Sequence, residues 1–105
     1  MAKEVSVEEQ FQFYQQQLQS VLIQKESLKL QTVEIERALE ELEKTNQKSA
    51  YKIVGGLMIS KPVEDLKKEL RETKEDADVM IKSLEKTEER ITSKLKELQA
   101  KVGGV

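Results

Sequence analysis

Apolar side chains recur at every seventh position along two long stretches of the chain, and this repeat restricts the fold more than any other feature of the sequence. The first repeat contains Tyr14, Val21, Leu28, Ile35 and Leu42, and the second contains Val63, Leu70, Ala77, Leu84, Ile91 and Leu98. Such spacing forms one apolar row along a helix and is typical of helices that wind around each other as a coiled coil. We therefore predict a mainly α-helical fold with two long helices.

Residues at the ends of each stretch predict where the helices begin and end. Ser6 and Glu9 have the spacing of a capping box, so the first helix is expected to span about residues 7–45. Pro62 suits the first turn of a helix, where its missing N–H has no partner to lose. The second helix is therefore expected to span about residues 63–102.

A second row of positions, the companion row, accompanies each repeat. In the first helix it contains Phe11, Leu18, Lys25, Thr32 and Leu39, and in the second we place Leu66, Thr73, Met80 with Ile81, Leu95 and Val102. Lys25 is polar where an apolar residue is usual, and we expect its amine to reach water beside Thr87. The alternative is that Lys25 and Thr32 loosen the coil so that its two arms splay.

The predicted helices are much longer than the segment that joins them, so they must fold back as antiparallel neighbours. A reversal centred near Gly56 brings Leu42 opposite Leu70 and Tyr14 opposite Leu98. The same reversal point also places the remaining residues of the first repeat between these positions opposite residues of the second repeat. The expected fold is thus an antiparallel coiled coil.

The joining segment has a different composition from the helices. Two runs with high β-propensity, Ala50–Val54 and Leu57–Ser60, flank the pair Gly55-Gly56. Paired glycines allow the positive φ angles of a two-residue primed turn. We therefore predict a β-hairpin over about residues 50–60.

This hairpin carries more apolar side chains than a local cap over the end of the coil would need. An isolated two-stranded hairpin is only marginally stable in water, so we expect it to pair with strands from other chains. A local cap remains the alternative. The predicted subunit-assembly residues are Tyr51, Ile53, Val54, Gly55, Leu57, Met58 and Ile59.

Composition and charge exclude several classes of function. The chain has 18 basic and 20 acidic residues spread along 105 positions, unlike the clustered basic surface of a nucleic-acid-binding protein. It has no Cys and no His, which removes thiolate ligands and the commonest general base. We predict one domain over residues 1–105, with no enzymatic activity, no cofactor, no metal and no nucleic-acid partner.

No stretch approaches the roughly eighteen consecutive apolar residues of a membrane-spanning helix. The first residues lead into a Gln-rich polar stretch and lack the apolar core of a signal peptide. We therefore expect a cytoplasmic protein without a membrane partner.

The hairpin sequence and its flanks carry a resemblance to a known family. Ala50-Tyr51-Lys52-Ile53-Val54-Gly55 followed by Leu57-Met58-Ile59, with Ala38–Leu42 before and Leu66–Leu70 after, resembles the β-class subunit of prefoldin. Prefoldin is an ATP-independent chaperone of archaea and eukaryotes. The resemblance covers nearly the whole chain, and the single hairpin matches the β class, since the α class has two.

The resemblance implies a hetero-hexamer of two α-class and four β-class subunits. This chain would then assemble with an α-class prefoldin subunit and with further copies of itself. The hairpins would build a β-barrel platform, and the coiled coils would extend from it. The tips of the coils would hold unfolded client proteins and pass them to a group II chaperonin.

Apolar residues at the free ends of the predicted helices are candidates for client binding. They are Val5, Val7, Phe11, Phe13, Val102 and Val105. Exposed apolar groups at a tip suit weak, sequence-tolerant binding, although scattered apolar residues at a frayed terminus are also common. The rival function is a structural scaffold or tether that oligomerises through its hairpin.

Overall fold

The computed structural model describes residues 6–103, which form two helices and two strands. Helix α1 spans Val7–Lys44, strand β1 spans Ser49–Val54, strand β2 spans Leu57–Pro62, and helix α2 spans Val63–Gly103. The predicted fold of two long helices with a β-hairpin between them is confirmed. The chain forms two compact units: Leu28–Val79 is the hairpin unit, and the described residues before and after it form the terminal unit.

Helix α1 begins as the capping pattern predicts. The backbone N–H of Glu9 donates to Ser6 Oγ over 3.1 Å, and the N–H of Gln10 donates to the Ser6 carbonyl over 3.0 Å. At the other end, the N–H of Thr45 still donates to the Glu41 carbonyl over 3.1 Å. The Ser6 hydroxyl thus satisfies one N–H group that the first turn of a helix leaves without a partner, and the Ser6 carbonyl accepts the first regular bond of the helix.

Strand β2 passes directly into α2, because Pro62 ends the strand and Val63 begins the helix. The N–H of Val63 donates to the Lys48 carbonyl over 2.9 Å, which ties the connector before β1 to the start of α2. Glu64 and Asp65 occupy the first helical turn. Their negative charge is favourable at the positive end of the helix dipole.

The two strands form an antiparallel hairpin with a two-residue turn. Val54 pairs with Leu57 on either side of the turn. Gly55 has φ of 55° and Gly56 has φ of 81°. Positive φ at both turn positions defines the primed turn whose twist matches that of the flanking strands, as predicted from the glycine pair.

Residues of the seven-residue repeats supply most of the core of each unit. In the terminal unit the buried apolar side chains are Val21, Ile91 and Leu98, and in the hairpin unit they are Ile35, Val63, Leu66 and Ala77. Burial of a single row on each helix is what a coiled coil requires.

The companion row of α2 was predicted wrongly at Thr73, and of the two residues predicted together at the next position, Met80 and Ile81, only Ile81 belongs to the row. Thr73 and Met80 are exposed, whereas Lys74 and Ile81 are half-buried. In α1 the companion row lies four residues after the main repeat. Helix α2 uses the same four-residue step from Lys74 onward, whereas in its first turn the buried position is Leu66, three residues after Val63. The apolar positions of a coiled coil are separated alternately by three and four residues. The sequence of one helix does not show which of its two flanking rows the partner helix covers.

Ion pairs join the two helices beside the core of the hairpin unit. Lys74 Nζ lies 3.1 Å from Glu36 Oε1, and Arg71 Nη2 lies 3.3 Å from Glu43 Oε1. The two members of each pair are nearly equally far from Gly56 along the sequence. Antiparallel neighbours with a reversal at the hairpin turn have this relation.

Candidate functional site

The hairpin groups six exposed large apolar side chains in one short element. Its apolar side chains are Tyr51, Ile53, Val54, Leu57, Met58 and Ile59, with exposed fractions between 42% and 73%. Water therefore covers side chains that soluble proteins normally bury. An apolar cluster of this kind marks an interaction surface.

Both faces of the hairpin are apolar. Side chains alternate between the faces of a strand, and Ile53 pairs with Met58 while Val54 pairs with Leu57. One face therefore carries Tyr51, Ile53 and Met58, and the other carries Val54, Leu57 and Ile59. In addition, the described chain has two strands only, so each strand has one unpaired edge. A partner must cover faces as well as edges, which a flat extension of the sheet does not do.

Two lysines hold the base of the hairpin to α2. Lys52 of β1 lies 3.1 Å from Glu69 Oε2, and Lys61 of β2 lies 2.6 Å from Glu69 Oε1. The hydrogen bonds from Lys61 and from Lys52 lower the pKa of the Glu69 carboxyl. Sequence reasoning did not identify this cluster, because the lysines lie on strands and the glutamate on a helix.

A notch of about 290 Å³ lies beside this cluster, between the hairpin and the first turns of α2. Its lining combines apolar and charged side chains: Tyr51, Lys52, Leu66, Glu69, Leu70 and Thr73. Leu66, which was predicted in the companion row, is buried. The base of the hairpin thus lies against α2.

The predicted client-binding residues are only partly described by the structure. Val7 and Phe11 are half-buried, and Phe13 is 54% exposed. The side chain of Val102 and all of Val5 and Val105 lie outside the described residues. Their role in client binding stays a prediction.

Tyr14 forms the centre of two notches in the terminal unit. One of about 490 Å³ is lined by Glu9, Gln10, Phe13 and Tyr14, and one of about 330 Å³ is lined by Tyr14, Gln17, Thr87, Arg90, Ile91 and Lys94. The rings of Phe13 and Tyr14 meet edge to face with their centroids 5.5 Å apart. Tyr14 was predicted as a core residue of the repeat, and its ring also borders space open to a ligand.

Sequence reasoning missed further exposed apolar side chains on the helices. Leu22, Ile23 and Met80 belong to the terminal unit, and Leu30, Val33 and Val79 belong to the hairpin unit. The signal was available for most of them, because they are apolar yet fall on neither row of the coiled coil.

Lys25 does not reach out to water as predicted. Its Nζ donates to Glu88 Oε2 over 2.7 Å, with 15% of the lysine side chain and 28% of the glutamate side chain exposed. This hydrogen bond raises the pKa of Lys25. The carboxylate next to Thr87 offers the half-buried amine a charged partner in place of the water that the coil excludes.

The described residues contain no cluster of acidic side chains that could hold a metal ion. In the same part of the chain, no helix has the length and the apolar composition needed to cross a membrane. The apolar hairpin and the apolar groups near the helix ends are therefore the features from which a function can be argued.

The fold and the hairpin define a class of protein, namely coiled-coil subunits with an exposed apolar β-hairpin between their two helices. A family model for prefoldin subunits matches residues 6–103. The chain therefore belongs to the prefoldin family of chaperone subunits, within its β class. This confirms the resemblance found in the sequence.

Known proteins similar to the chain support the assignment to this class. Prefoldin subunit beta of Thermococcus onnurineus is 39% identical over 89% of this chain and 81% of that protein. Prefoldin subunit beta of Archaeoglobus fulgidus is 38% identical with the same coverage. The crystal structure of the prefoldin beta subunit from Thermococcus strain KS-1 superimposes with a TM-score of 0.83, at 35% identity over 93% of this chain and 87% of that one.

Proposed function

We propose that this chain works as the β-class subunit of an ATP-independent chaperone that captures non-native proteins and delivers them to a group II chaperonin in the cytoplasm. The observation that carries the proposal is the exposed hairpin, which is apolar on both faces. A chain with such a surface is built to work within an assembly. Its family supplies the general activity, since prefoldin subunits are chaperone subunits.

In the proposed assembly, two α-class and four β-class subunits join through their hairpins as a β-barrel platform. A closed barrel has an inside and an outside and leaves no free strand edge. Closure therefore protects the apolar inner face as well as both edges. This is the arrangement that the unpaired edges and one of the apolar faces of the hairpin favour.

Client capture in this proposal belongs to the free ends of the helices. Phe13 already exposes most of its ring there, and the adjoining notch at Tyr14 offers space for an apolar side chain. A single contact of this size binds weakly. Several subunits that hold the same client convert weak contacts into useful affinity by multivalency.

The test compares a tip variant with a matched control in the assembled complex. Val7, Phe11 and Phe13 are replaced with Ser in one variant, and the control replaces the exposed Leu30 and Val33 with Ser. Light scattering measures how well each complex, formed with an α-class subunit, suppresses aggregation of a chemically unfolded enzyme. We expect the tip variant to lose most of the suppression and the control to retain it, because only the tip contacts the client.

Native mass spectrometry must show the same assembly for both variants, so that a loss of suppression reports client binding alone. Equal suppression by the tip variant and the control would contradict the tip as the client site. A wild-type complex that assembles but fails to suppress aggregation would favour the rival function of a structural scaffold or tether.

A further inference from the structure

We propose that Glu69 is a positioning residue that fixes the orientation of the hairpin on α2 and so prepares it for assembly. This inference rests on the proposed function of the hairpin as the assembly element. In this role, one carboxylate on a helix holds both strands in the orientation in which a partner binds them. Glu69 itself need not touch the partner.

The geometry of the contact carries the inference. Glu69 Oε1 accepts from Lys61 over 2.6 Å, and Glu69 Oε2 accepts from Lys52 over 3.1 Å. The two oxygens of one carboxylate thus bind one lysine from each strand. Lys52 is opposite Ile59, two residues from Lys61, so the two amines extend from the same face of the hairpin.

The covalent connection alone does not fix this orientation. Strand β2 continues directly into α2 at Pro62, and the N–H of Val63 binds the Lys48 carbonyl. Both ties lie at a single point, about which the hairpin could still tilt. The Lys52–Glu69 pair adds a second contact. It joins β1, the other strand, to a position on α2 six residues after Val63. Contacts at two separated points restrict the tilt.

The two ion pairs are partly exposed, with 40% of the Glu69 side chain accessible. Pairs of this kind add little to the stability of a fold. Their effect is instead expected in binding, where an element held in its bound orientation avoids the cost of ordering during association. A substitution at Glu69 should therefore weaken assembly and leave the melting of the helices nearly unchanged.

The test replaces Glu69 with Gln in the full chain and uses Glu72→Gln as the control. Both residues lie on α2, and each substitution removes one negative charge. Native mass spectrometry of each chain with an α-class subunit gives the concentration at which half of the chains are assembled. We expect this concentration to rise by about three- to tenfold for Glu69→Gln, the range for one or two exposed charge pairs, and to stay unchanged for Glu72→Gln.

A charge exchange separates orientation from a general loss of charge. The double variant Glu69→Lys with Lys61→Glu rebuilds the shorter pair with reversed signs, and it should assemble better than Glu69→Lys alone, in which the new ammonium faces both Lys61 and Lys52. Circular dichroism should give the same melting temperature for Glu69→Gln and Glu72→Gln. Equal half-assembly concentrations for these two chains, or no recovery in the double variant, would overturn the role of Glu69.

Failure of this inference can be told apart from failure of the proposed function. Ile53→Glu places a charge on the exposed face of the hairpin and tests whether the hairpin assembles at all. If Ile53→Glu prevents assembly while Glu69→Gln behaves as its control, only the positioning role is lost. If Ile53→Glu assembles normally, the hairpin is not the assembly element and the proposed function itself fails.

Discussion

The Lys25–Glu88 ion pair lies where two apolar side chains would usually meet in a coiled coil. Both side chains are mostly withdrawn from water, and their charged atoms are 2.7 Å apart. Half-buried ion pairs stabilise a fold poorly, because the loss of hydration offsets the attraction. Their clearer effect is on specificity, since a shifted register would leave either charge without its partner. Thr32 disturbs the coil less, because its hydroxyl donates to the Leu28 carbonyl of its own helix over 2.9 Å.

Replacing both members of the pair with Leu should raise the melting temperature by several degrees, because an apolar pair replaces two partly dehydrated charges. Lys25→Leu alone should lower it, since the Glu88 carboxylate then lies in the coil without a partner. Circular dichroism at one fixed protein concentration measures both changes. A double variant that melts below the wild type would show that the ion pair itself stabilises the coil.

Among the elements, the hairpin depends most on local backbone geometry. Gly55 and Gly56 both have positive φ, and no atom lies within 4 Å of the position that a Cβ would occupy at either residue. The requirement for glycine therefore comes from the backbone angle alone. Residues other than Gly and Asn or Asp seldom adopt this region, at a cost of roughly 1–2 kcal/mol.

Gly55→Val should accordingly weaken assembly, because it strains the turn that sets the strand register, whereas Gly55→Asn should assemble nearly as well as the wild type. Sedimentation velocity with an α-class subunit distinguishes the two. A Val variant that assembles as well as the Asn variant would mean that the turn does not limit assembly.

The elements were predictable to different degrees. The helices and the hairpin follow from signals that lie close together in the sequence, namely the seven-residue repeat and the glycine pair. The burial of Lys74 in place of Thr73 was not predictable, because the partner helix decides which flanking row is covered. The Glu69 cluster was equally hidden, since it brings two strands and a helix together through long side chains.

At the scale of the whole molecule, each of the two units buries an apolar core between its helical segments, and the hairpin presents a surface that has no partner within the described residues. Exposed apolar area on both faces of the hairpin is consistent with a subunit of a larger assembly. Val5, Val102 and Val105, which the sequence predicts to bind clients, fall outside what the structure describes in side-chain detail, and their role stays a prediction.

Ile53→Glu should convert the assembly to smaller species, because it buries a charge wherever the hairpin face is covered. Val79→Glu is a matched control, since Val79 is 63% exposed on α2 and Ile53 is 73% exposed on β1. Sedimentation velocity measures the size of both. Similar dissociation of both variants would point to a general effect of added negative charge.

The junction at Pro62 and Val63 has a mechanical consequence. Because no residue separates β2 from α2, a force along α2 acts directly on the first backbone hydrogen bonds between β1 and β2. A pull along α1 must first straighten residues 45–48, and a fully extended chain spans at most roughly 3.3–3.6 Å for each residue. The two helices would therefore transmit force to the hairpin differently. Helix α2 is joined to the hairpin directly, whereas α1 is joined to it through residues 45–48.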